Sequence, residues 1–243
     1  MNNHLASMHS PESMVHSYLR IRRAIGYVGF LLPILLGPVG WAFFGIGIQE
    51  NMSSYYHTQM RDIFVGLMCA IGIFLYCYRG TNQFERWTGN LSCLSAIGIA
   101  LCPLDAHSDP LHQRTLLGYL HTLAGGTFFF TLALYSLIHF PQRVASGHES
   151  AFEPAASILD RKARNLLYFI SGLTIVACMA AIGTSFFLVS SPVKVKLNSL
   201  HFVFWMEWLA VWAFSAAWLT KGRAIFNDVL IPLKKLTQIV RGE

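Results

Sequence analysis

The chain has 243 residues, of which 54% are hydrophobic and only 12% are charged, and its mean hydropathy is +0.46. Soluble domains carry about 25% charged residues, so this composition excludes an ordinary water-soluble protein. The formal net charge is +6, and the placement of the basic residues excludes nucleic-acid binding as its explanation.

Six apolar runs are long enough to cross a hydrocarbon core about 30 Å thick. They predict an all-α membrane helix bundle in residues 20–220. The polar residues 1–19 show no cleavable signal peptide and are predicted to form a cytoplasmic tail. Pro33 and Pro38 are expected to kink the first span, and Pro103 to end the third. The predicted spans are Ala24–Ile48, Tyr55–Tyr78, Trp87–Leu104, Thr115–Phe140, Asn165–Val189 and Leu200–Leu219.

The C-terminal residues 221–243 interleave apolar and basic side chains. This pattern predicts a basic amphipathic cytoplasmic tail that lies on the inner membrane surface, or a helix that packs under the bundle. The five cysteines all fall within spans and form no metal-type pair, so we expect them to act as small apolar packing groups.

The basic residues test the number of spans independently. With six spans and a cytoplasmic N-terminus, 14 Lys and Arg residues lie in predicted inside segments and 4 in outside segments. The positive-inside rule expects this asymmetry, with both termini in the cytoplasm. The net charge therefore reflects topology and contact with the inner leaflet, and no nucleic-acid partner is predicted.

Six ionisable side chains fall in or next to the outer parts of the predicted spans. At 1.5 Å per residue, the three histidines among them and Asp105 lie about 10–13 Å above the bundle midplane, and the other two about 4–6 Å above it. Such groups cost several kcal/mol inside a bilayer unless they pair, bind an ion or line a cavity. The pattern predicts a polar site there and no comparable group in the inner half. The six residues are His57, Asp62, Asp105, His121, His201 and Glu207.

Three imidazoles with an open fourth position suit a catalytic zinc ion. The predicted ligands are the three histidines and Asp105, and Asp62 or Glu207 would act as general base on a zinc-bound water. Glu207 stands six residues after His201, so it points about 120° away on an ideal helix, towards a deeper pocket. Each histidine alone is also compatible with a structural role, and Arg61 beside Asp62 with a buried ion pair.

The motif Ser53-x-x-Tyr56-His57 resembles the Ser-x-x-aromatic-His signature of the superfamily that contains alkaline ceramidases, progestin/adipoQ receptors and bacterial haemolysin III proteins. Members of that superfamily are seven-helix membrane proteins, several hold zinc with three histidines near one membrane face, and their known substrates are lipid amides. The resemblance implies that His57 binds zinc, that Ser53 assists the metal-bound water and that Asp62 is the assisting aspartate. If the stretch is helical, Ser53, His57 and Arg61 share one face.

The chain departs from that superfamily at two points. The His-x-x-x-His pair of its last helix is not present, because Trp205 stands four residues after His201, so His121 would supply the third ligand. Six spans are predicted instead of seven. The block from Ser54 to Gly66 also resembles a group of uncharacterised bacterial multi-pass proteins, which implies a bacterial inner membrane but no function.

The leading hypothesis is a zinc-dependent hydrolase of lipid amides or esters, with a site that opens towards the outer leaflet and with membrane lipids as partners. An alternative is a ligand-binding, receptor or proton-coupled transport protein without catalysis. A second alternative is a b-type haem protein with axial ligands such as His121 and His201. Elemental analysis and an absorption spectrum of the purified protein separate the three hypotheses.

Overall fold

The computed structural model describes residues 11–78, 80, 82–106, 113–141 and 158–222. Residues 1–10 of the predicted N-terminal tail (1–19) and residues 223–243 of the predicted C-terminal tail (221–243) lie outside the described residues. The first helix already begins at Pro11, inside the predicted N-terminal tail. All regular elements in the described part of the chain are helical. The α-helices are α1 Pro11–Ile34, α2 Gly40–Phe44, α3 Arg61–Cys77, α4 Gln83–Leu101, α5 Leu116–Leu134, α6 Ile158–Phe187, α7 Ser191–Ser199 and α8 Phe202–Lys221.

Six long helices form a closed ring. α1 packs against α3, α3 against α4, α4 against α5 and α5 against α6, and α8 closes the ring by packing against both α6 and α1. Because successive helices run in opposite directions, their ends meet at two faces. We call one face the cavity end; it is formed by residues 45–60, 102–106, 113–116 and 187–202. The opposite face is the basic end, formed by residues 20–24, 78, 80, 82–90, 135–141, 162–168 and 218–222.

Four segments of the ring have the length and apolar composition of a membrane span. Large apolar side chains, among them Trp41, Leu123 and Phe130, are exposed on the outside of these helices. Such a surface is expected where lipid surrounds the protein. The chain therefore has the fold of an all-helical membrane protein. The four segments are Leu19–Phe44, Leu116–His139, Lys162–Phe187 and Phe202–Lys221.

The first span is interrupted where the sequence places its second proline. Pro38 lies in a π-helical turn, Leu35–Val39, between α1 and α2. Proline has no N–H to donate, so it breaks the α-helical hydrogen-bond pattern, and a π-helical turn is one way to absorb the break. α2 then ends at Gly45, whose φ of +65° is the left-handed conformation that favours glycine at a helix C-terminus.

The second predicted span begins later than expected. α3 starts at Arg61, whereas the span was predicted from Tyr55. The segment before it, Met52–His57, is a 3-10 helix. The predicted alignment of Ser53, His57 and Arg61 on one α-helical face is therefore wrong.

Side-chain hydrogen bonds hold this segment in its 3-10 form. The Asn51 side chain accepts the Ser54 N–H at 2.8 Å. The Thr58 hydroxyl donates to the Tyr55 carbonyl at 2.8 Å and accepts the Met60 N–H at 3.1 Å. Short polar side chains that bond nearby backbone groups offer the chain an alternative to the α-helix, which explains the late start of α3.

Candidate functional site

A cavity of about 250 Å³ lies inside the ring. All six long helices and the loop between α2 and α3 contribute to its walls, which are mostly apolar. The volume lies just below the ~300–1,000 Å³ range of small-molecule sites, and apolar walls with a few polar groups are typical of such sites. The polar lining residues are Asn51, Ser53, His121, Thr122 and Glu207.

Glu207, in the second turn of α8, is the one acidic residue among those that line the cavity. Its Oε2 accepts the Met52 N–H at 2.7 Å. Its Oε1 has no hydrogen-bond partner within the described part of the chain, and the side chain is partly exposed to the cavity. A carboxyl group beside apolar walls is unfavourable unless it is bound. Oε1 is therefore the acceptor that the cavity offers to a ligand.

The loop between α2 and α3 covers Glu207 from the cavity end. Besides the bond from Met52, the Glu50 carbonyl accepts the Phe204 N–H at 3.2 Å. The first N–H groups of a helix have no partner inside the helix, so Glu50 satisfies one donor of α8. Two hydrogen bonds thus connect the α2–α3 loop to the first turns of α8, next to the Glu207 side chain that lines the cavity.

His201 begins α8 in a left-handed conformation, with φ +52°. Non-glycine residues rarely adopt it, and the strain is of the order of 1–3 kcal/mol. Its N–H donates to the Asn198 carbonyl at 3.0 Å, and its Nδ1 donates to the Gln49 carbonyl at 3.2 Å. His201 is not among the residues that line the cavity, whereas Glu207 is. The 120° angle predicted for an ideal helix does not apply to this pair, because His201 precedes α8 in a left-handed conformation.

His57 and His121 bind the same segment, which follows α4. His57 Nε2 donates to the Leu104 carbonyl at 2.7 Å, and His121 Nδ1 donates to the Cys102 carbonyl at 2.6 Å. His121 is buried and lines the cavity, while His57 is exposed. Two of the three predicted histidine ligands thus lie near one another, and each anchors the segment around Pro103.

A zinc ion needs three or four ligand atoms around one point. Within residues 11–78, 80, 82–106, 113–141 and 158–222, no three His, Cys, Asp or Glu side chains are grouped so that they could hold a metal ion. Each of the three histidines binds a backbone carbonyl instead, and His201 does so away from the other two. The described arrangement does not fit zinc, and zinc and haem stay predictions from the sequence.

The predicted catalytic residues occupy two different places. Ser53 lines the cavity together with Glu207. Asp62 is exposed in the first turn of α3 and does not line it. Arg61 does not pair with Asp62; its guanidinium lies 4.5 Å from the Tyr56 ring centroid and donates to the Tyr56 hydroxyl at 2.9 Å. The general-base role of Asp62 stays a prediction.

Asp105 organises the start of α5. Its Oδ1 accepts the Thr115 hydroxyl at 2.7 Å, and its Oδ2 accepts the Thr115 N–H at 2.9 Å and the Arg114 N–H. The Thr115 hydroxyl, followed by these N–H groups and the Arg114 charge, lowers the pKa of Asp105 because all of them stabilise its ionised form. Both oxygens are engaged in a turn, and its role as a metal ligand stays a prediction.

A second buried polar cluster, the basic-end cluster, lies at the opposite face. The Tyr78 hydroxyl donates to Glu85 Oε1 at 3.1 Å. His139 Nε2 donates to the Thr88 hydroxyl at 3.0 Å, since that hydroxyl donates to the Phe84 carbonyl. The expectation that the inner half contains no comparable group is therefore wrong. The members of the cluster are Arg22, Tyr78, Glu85, Thr88, His139 and Lys221, all of them buried.

Two cations of the cluster join α1 to α8. The Arg22 guanidinium donates to the Lys221 carbonyl at 3.4 Å and lies 5.6 Å from the Tyr78 ring centroid. The Lys221 ammonium lies 5.4 Å from the Phe140 ring centroid and 5.8 Å from that of Tyr168. Such cation–π contacts lower the energetic cost of burying a cation. Here, together with the Arg22 hydrogen bond, they connect α1 to α8 and so close the ring.

One signal in the sequence could have found this cluster. Asn82 stands three residues before Glu85, the spacing of an N-cap with an acidic residue in the first helical turn. The Asn82 side chain does accept the Glu85 N–H at 2.7 Å. This fixes the start of α4 before Trp87, where the third span was predicted to begin, and so brings Glu85 inside the ring.

No known protein family, curated protein or solved structure matches the chain. The resemblance to the ceramidase and haemolysin III superfamily therefore stays a prediction. Fold and cavity together define the class: a multi-pass helical membrane protein with an internal, mostly apolar cavity.

Proposed function

We propose that this protein spans the membrane six times and binds, in its central cavity, an apolar molecule with a hydrogen-bond-donating head group. The observation that carries the proposal is Glu207, which lines a mostly apolar cavity and whose Oε1 has no hydrogen-bond partner in the described part of the chain. Apolar walls accept a hydrocarbon chain, and the carboxyl group accepts the head.

The ring supports six spans instead of four. α3 and α4 stand between α1 and α5, which both have the character of membrane spans. Each reaches both ends: His57 before α3 meets Leu104 after α4, and Tyr78 after α3 meets Glu85 in α4. The 17 residues of α3 extend about 26 Å, close to the hydrocarbon thickness of about 30 Å. Both helices therefore cross with their neighbours.

The basic residues orient the ring, with the basic end in the cytoplasm and the cavity end outside. A reporter that is active only in the cytoplasm should give signal when it is fused to residue 243. The same reporter fused after Ser191, in α7 at the cavity end, should stay silent. The reverse pattern would contradict the orientation, and signal from both fusions would contradict the number of spans.

The head group decides selectivity in this proposal. A molecule that comes from lipid gains little from apolar walls alone, because the acyl region is equally apolar. Polar contacts must therefore discriminate, and a charge-assisted hydrogen bond to a carboxylate is among the stronger ones. A primary amine donates up to three hydrogen bonds, which Glu207 can share with the Ser53 hydroxyl in the same cavity wall.

Hexadecylamine is the probe that tests this proposal. We expect saturable binding to the purified full-length protein in detergent, and at least about tenfold weaker binding of hexadecanoate, whose carboxylate is repelled. Glu207→Gln should weaken hexadecylamine binding about tenfold or more, the loss expected for a hydrogen bond to a charged group. Asp62→Asn, an exposed carboxylate at the same end, is the matched control and should bind as the wild type does. Equal binding by Glu207→Gln and wild type would overturn the proposal.

Hydrolysis of a lipid amide or ester is the second candidate function. The observation that favours it is the shared position of Ser53, His121 and Glu207 in the walls of one cavity, since an amide N–H is also a donor for Glu207. The test is release of fatty acid from N-hexadecanoyl and O-hexadecanoyl substrates, together with elemental analysis for zinc. If the protein binds these substrates but releases no fatty acid, hydrolysis is excluded and only the binding function is supported.

A further inference from the structure

We infer that the cavity opens sideways into the lipid between α5 and α6, and that an acyl chain reaches the cavity through this opening. The inference rests on the proposed function, because it names the class of molecule and its route. We call this gap the lateral opening; it is defined by Thr122, Gly125, Gly126 and Phe129 on α5 and Met179, Ile182, Gly183 and Phe186 on α6.

The cavity is sealed on one side of the ring and not on the other. The lining residues from α1, α3 and α4 are buried: Leu32, Phe64, Met68, Ile71 and Ile99. All four lining residues from α6 are partly exposed, and so are Thr122, Gly125 and Phe129 of α5, while Gly126 is exposed. Ser53, Val203 and Glu207 at the cavity end are partly exposed as well, so the spacing between the helices is needed to locate the opening.

The spacing between α5 and α6 agrees with this exposure. Near the basic end the two helices are in close contact, because Gly172 of α6 lies against Leu137 and Ser136, which follow α5, and a Cβ at Gly172 would overlap them. Towards the cavity end, a Cβ added at Gly126 or at Gly183 would meet no atom within 4 Å. α5 and α6 are therefore in contact near the basic end and are separated by a gap at the level of Gly126 and Gly183.

The gap lies at a depth where lipid chains surround the ring. Gly126 is ten residues into the helix from Leu116, which places it about 15 Å along the span and far from either headgroup layer. Its rim is formed by apolar side chains such as Phe129, Met179 and Phe186. An acyl chain fits such an opening, and a water-soluble molecule does not reach it.

Photocrosslinking at three phenylalanines tests the inference without using hexadecylamine. p-Benzoylphenylalanine replaces Phe128, which is buried and lines the cavity; Phe130, which is 54% exposed on the outside of α5; or Phe140, which is buried and does not line the cavity. The full-length protein is irradiated in phosphatidylcholine vesicles, and lipid adducts are counted by mass spectrometry. We expect adducts at positions 128 and 130 and none at 140.

Two substitutions then close the lateral opening. Gly126→Leu and Gly183→Leu add bulk in open space and should each lower the adduct yield at position 128 at least about fivefold, with no change at 130. Gly66→Leu is the matched control, since Gly66 is also exposed on a helix with no atom within 4 Å of its Cβ position but does not line the cavity.

The outcomes separate this inference from the proposed function. Adducts at 130 but not at 128 would overturn the lateral opening, even if hexadecylamine binds. Adducts at 128 that persist in both leucine variants would show that the chain enters elsewhere, and would overturn it as well. Loss of hexadecylamine binding with a normal crosslinking pattern would leave the opening in place and refute only the amine-binding head site.

Discussion

The two ends of the ring each hold a carboxyl group inside the fold, but in opposite surroundings. Glu85, at the basic end, is 1% exposed and accepts the Tyr78 hydroxyl among close-packed aromatic rings. Glu207, at the cavity end, accepts one backbone N–H through Oε2 and lines the open cavity. A buried polar group that packed neighbours satisfy contributes to stability. One that faces a cavity is available to a ligand.

The largest expected effect is on the packing of the basic end. Trp218 is fully buried, with its ring centroid 4.8 Å from that of Tyr78, 5.2 Å from Tyr135 and 5.1 Å from Phe140. Trp218→Ala should lower the free energy of unfolding by about 3–5 kcal/mol, measured by chemical or thermal unfolding in detergent. Trp41→Ala, at a 68% exposed site, should change it by less than about 0.5 kcal/mol. Similar values for both variants would contradict the described core.

The second prediction compares the two carboxyl groups directly. Glu85→Ala leaves the Tyr78 hydroxyl without this acceptor and should lower the free energy of unfolding by about 1.5–3 kcal/mol, the range for hydrogen bonds to charged groups. Glu207→Gln keeps an oxygen that can accept the Met52 N–H, so its unfolding should match the wild type within about 0.5 kcal/mol. A larger loss for Glu207→Gln than for Glu85→Ala would reverse the comparison.

The third prediction concerns the pH dependence of the cavity end. The bonds from Thr115 and Arg114 lower the pKa of Asp105 below its usual 3.8. This group therefore contributes stability above about pH 4, which is lost as the pH falls through the lower, folded-state value. The unfolding temperature of the wild type should fall between about pH 6 and about pH 3 by more than that of Asp105→Asn. Equal falls would show that the Asp105 turn adds nothing to stability.

The smallest effect is expected at Asp62. This side chain is exposed and Arg61 contacts Tyr56 instead, so Asp62→Asn should change unfolding by less than about 0.5 kcal/mol. A buried Arg61–Asp62 pair would instead cost about 3–5 kcal/mol when it is broken. The amount of variant protein in the membrane and its unfolding in detergent distinguish an exposed Asp62 from a buried Arg61–Asp62 pair. If Asp62→Asn accumulates poorly and a second substitution that neutralises Arg61 restores it, the structure is contradicted.

Hydrophobic periodicity was sufficient for the long helices but not for their ends. α8 begins and ends within two residues of its predicted span. α5 begins one residue after its predicted start, and the π-helical turn Tyr135–His139 that continues it ends one residue before the predicted end. Apolar length is what defines a helix in lipid. α3 was predicted six residues too early, because hydrogen bonds from Asn51 and Thr58 are local and leave no trace in the apolar pattern. α6 begins at Ile158, whereas its span was predicted from Asn165. Its first turns are polar, so the apolar run alone did not include them.

The candidate site was predicted in part. Ser53, His121 and Glu207 line one cavity, as expected for polar residues at the outer ends of neighbouring spans. His57 and Asp62, which were predicted at the depths of His121 and Glu207, do not line it. His201 does not line the cavity either, because a left-handed residue at the start of α8 directs it to Gln49. Depth along a helix axis can be counted from a sequence, but rotation about that axis depends on packing and could not be.

Native mass spectrometry of the protein extracted from its membrane tests the central claim most directly, namely that the cavity end binds a molecule and the basic end does not. Wild type, Glu85→Gln and Glu207→Gln are compared after addition of hexadecylamine. We predict one amine adduct on wild type and on Glu85→Gln, and about tenfold less on Glu207→Gln. Equal adducts on all three proteins, or loss of the adduct in Glu85→Gln alone, would contradict the account.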